Sequence, residues 1–191
     1  MTPPPTLILI AGGPGAGKTA LGRELARRLP SVVLLDKDVI GGPWVDALLA
    51  RYNDGHVDRD CALYWDFLRP LEYSAMLAAA RDNLALGKSV VAVAPFGPEL
   101  GDAAWMRRIE ASLDEQGARL RAMWIETDLP TARARMQARG ESRDDWKLAH
   151  WDEFSAAARF APPREDLFVL HNTGRALPDL VNQALEFLRT P

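Results

Sequence analysis

Short apolar runs alternate with helical patterns along the chain. Thr6 to Ala11 is a continuous apolar run followed by glycines, which is typical of a strand that is buried on both faces of a parallel sheet. Similar runs lie at Ser31 to Leu35, Ser89 to Ala94, Leu120 to Glu126 and Leu167 to His171. The pattern therefore predicts five strands.

The segments between these strands carry apolar stripes at helical spacing. The stripes lie at Leu21, Leu25 and Leu29, at Trp105, Ile109 and Leu113, and at Leu177, Leu180, Val181, Ala184, Leu185 and Leu188. Each stripe places apolar side chains on one face of a helix. Strands that alternate with helices predict right-handed β-α-β units, and hence an α/β fold with a mainly parallel sheet and helices on both faces.

Composition narrows the class of protein. With 191 residues, 48% of them hydrophobic and 26% charged, the chain fits one globular domain spanning residues 1–191. The net charge of -3 provides no basic field for a nucleic-acid backbone, which argues against a nucleic-acid partner. A single cysteine cannot form an internal disulfide, and no apolar run suits a signal peptide or a membrane span. We therefore expect a cytoplasmic protein, whose oligomeric state the sequence leaves open.

One motif carries specific chemistry. Gly12 to Thr19 reads GGPGAGKT, which matches G-x-x-x-x-G-K-[ST] and stands between a predicted strand and a predicted helix, as a phosphate-binding P-loop does. Its glycines let backbone N–H groups point at phosphate oxygens, and the helix start adds the positive end of its dipole. Lys18 would bridge the β- and γ-phosphates of ATP, and the Thr19 hydroxyl would bind Mg²⁺. The predicted nucleotide-binding residues of this segment are Gly13, Pro14, Gly15, Ala16, Gly17, Lys18, Thr19 and Ala20; the alternative is a glycine-rich turn that only connects strand and helix.

Two carboxylates follow the second predicted strand. Asp36 and Asp38 would project from its carboxyl end, beside the P-loop in a sheet of this kind. Phosphoryl transfer to a hydroxyl needs a group that accepts or orients the hydroxyl proton, and oxygen ligands around the metal. We predict Asp38 as the catalytic base and Asp36 as its helper, with both near Mg²⁺. Alternatively, Asp38 caps the next helix and Asp36 is a solvated loop charge.

Arginines recur at four-residue spacing after the fourth predicted strand. Arg135 and Arg139 would share one helical face, and Arg143 follows the break at Gly140. A guanidinium that arrives as a lid closes would stabilise the charge on the γ-phosphoryl oxygens. We predict Arg139 and Arg143 as catalytic, and Arg135 and Arg139 as nucleotide-binding. A solvated face with weak ion pairs is the alternative.

Asn172 and Thr173 directly follow the fifth predicted strand. Their amide and main-chain groups are candidates for contacting the adenine of ATP. An ordinary turn would use the same residue types, so both interpretations stay open.

Two segments are longer than simple connections require. We interpret residues 38–87, between the second and third strands, as an acceptor-binding insert. Residues 130–163 are interpreted as a lid, in which Trp146, Trp151 and Phe154 would pack between lid and body. Acids and aromatics of the insert would line the acceptor pocket and would suit a hydroxylated or cationic acceptor, and these are Asp58, Asp60, Tyr64, Trp65, Arg69 and Tyr73. The alternative is that these residues, at helical spacing, are ordinary surface and core.

Taken together, GGPGAGKT, LLDKDVI, VVAVAPF, RARMQARGESRD and LFVLHNTG resemble segments of the bacterial P-loop kinase-like proteins often labelled AAA-family ATPases. That group is similar to polynucleotide kinase, chloramphenicol phosphotransferase, gluconate kinase and zeta toxins, and the resemblance extends over nearly the whole chain. It implies a nucleoside-kinase-like P-loop NTPase fold with strand order 2-3-1-4-5 and a lid. It also implies ATP with Mg²⁺, a base at Asp38 and lid arginines at Arg135, Arg139 and Arg143.

The chain departs from this group in two places. Many relatives carry an aspartate near the end of the third strand, where this chain has Ala94, Pro95 and Phe96, so assisting the metal would fall to the acids after the second strand. Polynucleotide kinases tend to have an arginine shortly after the base, and Gly41 stands here instead.

These observations favour an ATP-dependent phosphotransferase that moves the γ-phosphoryl group onto a hydroxyl of a small molecule. Two alternatives remain open. One is a polynucleotide or nucleotide kinase, and the other is a nucleotide-controlled binding module or toxin-type switch, in which ATP only orders the lid and the insert. The acceptor is not identified by the sequence.

Overall fold

A single parallel sheet forms the centre of the computed structural model, which describes residues 3–158 and 160–190. Its strands are β1 (Thr6–Gly12), β2 (Val32–Asp36), β3 (Ser89–Val93), β4 (Arg119–Glu126) and β5 (Phe168–His171). Their spatial order is β2-β3-β1-β4-β5, and every pair of neighbours is parallel. The predicted five-stranded parallel sheet and its strand order are therefore confirmed.

Helices surround this sheet. The α-helices of the described residues are α1 (Lys18–Arg28), α2 (Lys37–Ile40), α3 (Gly42–Tyr52), α4 (Arg69–Ala85), α5 (Gly97–Gly101), α6 (Ala103–Asp114), α7 (Leu129–Arg139), α8 (Asp145–Ala149), α9 (Trp151–Ala157) and α10 (Leu177–Arg189). A π-helical segment, Leu63–Leu68, leads into α4, and a 3-10 turn, Ser142–Asp144, precedes α8. None of these helices has the length and apolar character of a membrane span.

β1 and β3 are buried along most of their length, which explains their continuous apolar sequences. Successive residues of β1 point to opposite sides, because the side-chain period of a strand is two residues. Leu7 and Leu9 pack in a core with α4 and α6, whereas Ile8 and Ile10 pack with α1 and α10. The sheet therefore separates two apolar cores.

Element boundaries differ from the predicted ones by single residues. Ser31 lies outside β2, because its φ of 55° is left-handed and does not occur in a regular strand. β1 extends to Gly12, and β5 begins at Phe168 rather than Leu167. The predicted stripes of α1, α6 and α10 do face the two cores.

The two long segments fold mainly as helices, and α4 of the first segment packs on one face of the sheet. Residues 38–87 contain α3, the π-helical segment and α4, with a small apolar cluster of Val45, Leu49, Tyr64 and Leu68. Within residues 130–163, the structure places most of α7 together with α8 and α9. That these segments act as an acceptor-binding insert and a lid stays a prediction, and the names insert and lid are kept for them below.

Candidate functional site

The P-loop turns tightly between β1 and α1. Gly12, Gly15 and Gly17 have φ values of 142°, 71° and 98°, which residues with a side chain rarely adopt. A Cβ on Gly15 would stand 2.5 Å from the carbonyl oxygen of Ala132, because α7 packs closely against the loop. The loop ends where α1 begins, at Lys18. Its curled backbone and the positive end of α1 together suit a bound anion.

Arg135 and Asn172 support the P-loop from outside. Arg135 donates hydrogen bonds to the carbonyl oxygens of Gly15 at 3.2 Å and Asn172 at 3.0 Å. The Asn172 side chain donates to the carbonyl oxygen of Ala16 at 2.7 Å. The Thr173 hydroxyl accepts a hydrogen bond from the N–H of the residue before α7, at 3.0 Å. Arg135 and Asn172 thus fix the shape of the loop, and the contact of Arg135, Asn172 and Thr173 with a nucleotide stays a prediction.

The Lys18 side chain folds back over the loop. Its Nζ donates to the carbonyl oxygens of Gly12 at 2.9 Å and Gly13 at 2.8 Å. Burial lowers the pKa of Lys18 to about 8, and the charge of Arg139 acts in the same direction. A phosphate bound here would stabilise the charged form of the lysine, because an opposite charge raises the pKa of an amine.

A hydrogen bond joins the P-loop to the end of β2. The Thr19 hydroxyl donates to Oδ2 of Asp36 at 2.9 Å. The other oxygen of Asp36 accepts the N–H of Asp38 at 3.0 Å and so caps α2. Asp36 is 7% exposed. The helix cap is therefore Asp36 rather than Asp38, and Asp36 is not a solvated loop charge.

The end of β3 contributes main-chain groups to the site. The carbonyl oxygen of Pro95 accepts the N–H of Gly12 at 3.2 Å. Phe96 is fully buried with a φ of 52°, and its N–H donates to the Tyr73 hydroxyl at 3.2 Å. The carboxylate that reaches the P-loop threonine thus comes from β2, as the sequence of Ala94, Pro95 and Phe96 suggested.

Asp38 is surrounded by three cations. Its Oδ1 lies 2.9 Å from Nζ of Lys37 and 3.1 Å from a terminal nitrogen of Arg59, and its Oδ2 pairs with Arg143. Burial tends to raise the pKa of Asp38, but these cations outweigh burial and hold the pKa well below its usual range. Asp38 is therefore ionised at neutral pH, with one oxygen held by Lys37 and the insert and the other facing the lid.

A buried network of charges lies behind Asp38. Lys37 is 3% exposed and donates to Oε2 of Glu72 at 3.0 Å and to the Tyr64 hydroxyl at 3.1 Å. The Tyr64 hydroxyl donates to the same carboxylate oxygen at 2.9 Å. Burial, followed by the charge of Glu72, raises the pKa of Tyr64. The network fixes Lys37, and through it one oxygen of Asp38.

Three members of this network were missed in the sequence. Lys37 has a signal that could have identified it, because it stands between Asp36 and Asp38. Arg59 and Glu72 have none, since they lie on distant parts of the insert and follow no motif. Arg59 is 7% exposed and bonds Asp46 at 2.7 Å as well as Asp38 at 3.1 Å.

The lid arginines have separate partners. Arg139 forms a two-pronged ion pair with the buried Asp144, at 2.5 and 2.8 Å. Arg143 pairs with Asp38 and, at 2.5 Å, with Glu141. Both arginines line the same cavity as Lys18. Arg139 is nevertheless exposed, and Arg143 pairs with a partly exposed carboxylate, so the alternative of a solvated face with ion pairs stays open and the catalytic role of both arginines stays a prediction.

A cavity of about 990 Å³ connects the P-loop, the insert and the lid. Its lining includes the predicted residues Gly13, Pro14, Gly15, Gly17, Lys18, Thr19, Ala20, Asp36, Asp38, Arg135, Arg139 and Arg143. The structure thus brings the predicted catalytic residues together around one volume.

The predicted acceptor-pocket residues divide into two groups. Asp60, Tyr64, Trp65 and Arg69 line the cavity. Tyr73 is instead buried, with its ring edge-on to Phe96 at 5.3 Å between ring centres. Asp58 lies away from the lining, and its side chain accepts the N–H of Asp60 at 2.8 Å. The prediction was wrong for Tyr73 and Asp58, because helical spacing did not distinguish core and turn positions from cavity positions.

The aromatic residues of the lid pack mainly with one another. Trp146 stacks on His150 with ring centres 4.8 Å apart, and it lines the cavity. Trp151 packs against Phe154 at 5.7 Å between ring centres. Phe154 in turn contacts Phe160, edge to face, at 6.2 Å. The packing of these residues between lid and body stays a prediction.

Solved structures share this fold at low sequence identity. A protein of Chloroflexus aurantiacus to which kinase activity is attributed is 20% identical over 98% of this chain and 100% of its own, with a TM-score of 0.68. The Mycobacterium tuberculosis APS kinase, in complex with AMPPNP and APS, is 16% identical over 98% and 100% of the two chains, with a TM-score of 0.59. A gluconokinase of Sinorhizobium meliloti is 19% identical over 96% and 91%, with a TM-score of 0.57. Likeness at these identities shows a P-loop kinase-like fold.

The family comparison covers most of the chain. No curated protein matches it significantly. The AAA domain profile matches residues 7–163, from β1 through the P-loop, the insert and the lid. With the P-loop geometry and the strand order described above, this match shows that the chain belongs to the AAA domain family and has a P-loop kinase-like fold.

Proposed function

We propose that this protein is a kinase that transfers the γ-phosphoryl group of ATP to a hydroxyl of a small molecule. One observation carries the proposal: Lys18 of the P-loop, the ionised Asp38 and the lid residue Arg143 line a single cavity of about 990 Å³. Ligand pockets commonly measure about 300–1,000 Å³. The cavity is therefore at the large end of this range, which suits a nucleotide with a second small molecule beside it.

Asp38 would orient the acceptor hydroxyl and receive its proton. The transfer forms a bond between the hydroxyl oxygen and the γ-phosphorus and breaks the bond from that phosphorus to ADP. Because the transition state is loose, the hydroxyl becomes strongly acidic only late, and a weak base suffices. The low pKa of Asp38 keeps its carboxylate unprotonated and able to accept a hydrogen bond. Its main contribution would therefore be orientation.

The residues around Thr19 suit a magnesium ion. Mg²⁺ prefers oxygen ligands and usually retains several waters. The Thr19 hydroxyl and the buried Asp36 carboxylate supply such oxygens, 2.9 Å apart. Thr19 would bind the ion directly, and Asp36, with Asp38, would bind its waters. When bound, the ion would neutralise part of the phosphate charge.

Arg143 would link the closing of the lid to catalysis. In the structure it pairs with Asp38 and Glu141. A phosphate competes with carboxylates for a guanidinium, because both offer paired oxygens to its planar donors. Arg143 would exchange Asp38 for the γ-phosphate, which would release Oδ2 of Asp38 for the acceptor hydroxyl. Arg139, held by Asp144, would add a second fixed charge at the phosphates.

The decisive experiment measures transfer of labelled phosphate. Purified protein is incubated with Mg²⁺, γ-labelled ATP and a panel of hydroxylated metabolites and antibiotics, together with an oligonucleotide that has a 5′-hydroxyl. We expect label on a small molecule. Label on the oligonucleotide alone would instead identify a polynucleotide kinase, and tight ATP binding without any transfer would identify a nucleotide-controlled binding module.

Lys18→Ala tests whether the P-loop is responsible. The variant should lose most nucleotide affinity and all transfer, because it removes the cation at the β- and γ-phosphates. Lys88→Ala is the matched control, since Lys88 is exposed and bonds the Ser31 hydroxyl at 3.1 Å, outside the cavity lining. Transfer that survives in Lys18→Ala would contradict the assignment of the site.

A further inference from the structure

Trp65 presents an aromatic ring to the acceptor side of the cavity. It lies in the π-helical segment, is 46% exposed and lines the cavity. Burial of apolar surface is favourable, so a half-exposed indole leaves apolar surface available to a ligand. Apolar and aromatic surface with a few polar groups is the usual lining of small-molecule sites.

Arg69 and Glu99 fix the orientation of this ring. The guanidinium carbon of Arg69 lies 5.1 Å from the ring centre of Trp65 and 4.2 Å from that of Tyr73. Glu99 accepts both ends of the guanidinium, at 2.6 and 2.9 Å. Arg69 is itself only 9% exposed. Trp65 is therefore a supported platform, and stacking on it requires little additional ordering.

The helix that carries Glu99 forms another wall of the same cavity. Gly97, Pro98 and Gly101 of this helix, α5, line the cavity. A Cβ on Gly97 would have its nearest neighbour 3.9 Å away, so neighbouring atoms do not fill the space that its missing side chain leaves. Because the ion pair between Arg69 and Glu99 joins α5 to α4, the platform and this wall are held to each other.

The cations on the acceptor side are already paired. Among the described residues, the pairs are Lys37 with Glu72, Arg59 with Asp46, Arg69 with Glu99 and Lys147 with Asp60. The other lysine and arginines of the described lining serve the P-loop or the proposed phosphate site, and these are Lys18, Arg135, Arg139 and Arg143. An anionic acceptor would have to displace a carboxylate, and breaking a largely buried pair is unfavourable.

We infer that the acceptor is a hydroxylated compound without an anionic group, whose ring has an apolar face that stacks on Trp65 while one of its hydroxyls meets Asp38. The inference rests on the proposed kinase function and specifies the substrate class of the same site. The shared chemistry is a ring with an apolar face, which nucleosides, aryl diols and pyranose sugars all offer.

The test assays uncharged compounds beside their anionic counterparts. Each pair keeps a free hydroxyl: adenosine with its 3′-phosphate, glucose with glucuronate, and an aryl diol with its ring carboxylate. We expect kcat/KM to be about ten-fold higher or more for the uncharged member. A preference for the anionic members would overturn the inference and leave the kinase function intact. If no compound accepted phosphate, the proposed function itself would fail, and the inference with it.

Variants of Trp65 test the stacking contact on the best uncharged acceptor. Trp65→Ala should raise the acceptor KM by about ten-fold, since stacking on an aromatic ring contributes on this scale, while the KM for ATP changes little. Trp65→Phe should restore most of the acceptor affinity. Phe67→Ala is the control, because Phe67 is 59% exposed on the same segment and outside the cavity lining. Equal acceptor KM values for Trp65→Ala and Phe67→Ala would overturn the assignment of Trp65.

Glu99→Gln tests the charge argument by a gain of activity. The substitution leaves the Arg69 guanidinium without its carboxylate partner. The anionic member of each pair should then improve relative to the uncharged member, by about ten-fold for a newly available ion pair. An unchanged ratio in this variant would contradict the view that paired cations exclude anionic acceptors.

Discussion

A Cβ on Gly41 would stand 2.5 Å from Oε1 of Glu72. Glu72 is 1% exposed and accepts hydrogen bonds from Lys37 at 3.0 Å and Tyr64 at 2.9 Å. The missing side chain at position 41 therefore makes room for the carboxylate that neutralises Lys37. Since Lys37 in turn holds Asp38, a glycine outside the cavity lining supports the proposed catalytic carboxylate.

Gly41→Ala should destabilise the protein by about 1–3 kcal/mol, because the added methyl group overpacks a buried site and displaces a paired carboxylate. Denaturant unfolding measures the difference. Gly42→Ala is the matched control, since its Cβ would have its nearest neighbour, on Arg59, 3.6 Å away. The control should be neutral or slightly stabilising, by up to about 1 kcal/mol, because alanine favours a helix over glycine. Equal losses in the two variants would contradict the role of Gly41.

Asp38→Asn should separate binding from turnover. The amide keeps the shape of the side chain but cannot accept the acceptor proton, so kcat should fall about 10²–10⁴-fold while ATP affinity changes little. Steady-state kinetics and titration with a nucleotide analogue measure the two quantities. Asp46→Asn is the control, because it removes another carboxylate partner of Arg59 from outside the cavity lining. Normal turnover in Asp38→Asn would remove Asp38 from the mechanism.

The parts of the fold that the sequence predicted are those with local causes. β1 could be predicted because a strand buried on both faces needs an unbroken apolar run, and Thr6–Gly12 provides one. The P-loop could be predicted because its backbone has positive φ at three positions, which favours glycine there; these are Gly12, Gly15 and Gly17. The position of Asp36 and Asp38 beside the P-loop could also be predicted, since the carboxyl ends of parallel strands meet at one edge of the sheet.

The rest of the site depends on contacts between distant segments. Arg59 reaches Asp38 from 21 residues away, and no periodicity indicates that the chain brings them together. Arg135 and Arg139 lie at helical spacing and both line the cavity, yet Arg135 bonds the P-loop backbone whereas Arg139 pairs with Asp144. Spacing along a helix shows which residues lie on the same face. Which segments that face contacts depends on how the helix packs in the fold.

Nucleotide affinity should fall as the pH rises above about 8. Burial, with the charge of Arg139, lowers the pKa of Lys18 to about 8, so the lysine loses its proton there and a phosphate loses its cationic partner. About one pH unit higher, affinity should be about ten-fold lower. Titration with a fluorescent ATP analogue between about pH 7 and 9.5 measures the fall.

Two variants show whether Lys18 causes this pH dependence. Lys18→Arg should bind independently of pH in this range, because a guanidinium stays charged. Arg139→Gln should move the fall to higher pH, because removing a like charge raises the pKa of Lys18. The same pH dependence in all three proteins would assign it to another group.

The same shift predicts that folding stability rises with pH. The pKa of Lys18 is 10.5 as an ordinary lysine and about 8 in the folded protein, so between these values the unfolded chain binds more protons than the folded one. The free energy of unfolding therefore increases between these two pH values. Below about pH 8 Lys18 is charged in both states, and its burial in the folded protein is unfavourable. Denaturant unfolding measures this free energy for the wild type and for Lys18→Met, in which position 18 cannot titrate. The contribution that rises with pH should be present only in the wild type.

The lid should depend on an ion pair with the insert. Nζ of Lys147 in α8 lies 2.8 Å from Oδ2 of Asp60, and the two side chains are only 12% and 22% exposed. Lys147→Met and Asp60→Asn each leave a poorly solvated polar group, at a cost of about 1–3 kcal/mol. In the double variant neither group is left without its partner. Its loss of unfolding free energy should therefore be smaller than the sum of the two single losses, with a coupling energy of about 0.5–3 kcal/mol by denaturant unfolding.

The control is the exposed pair of Arg164 and Asp166, which should show a smaller coupling energy. Additive losses for Lys147 and Asp60 would mean that the lid is held to the insert without this pair.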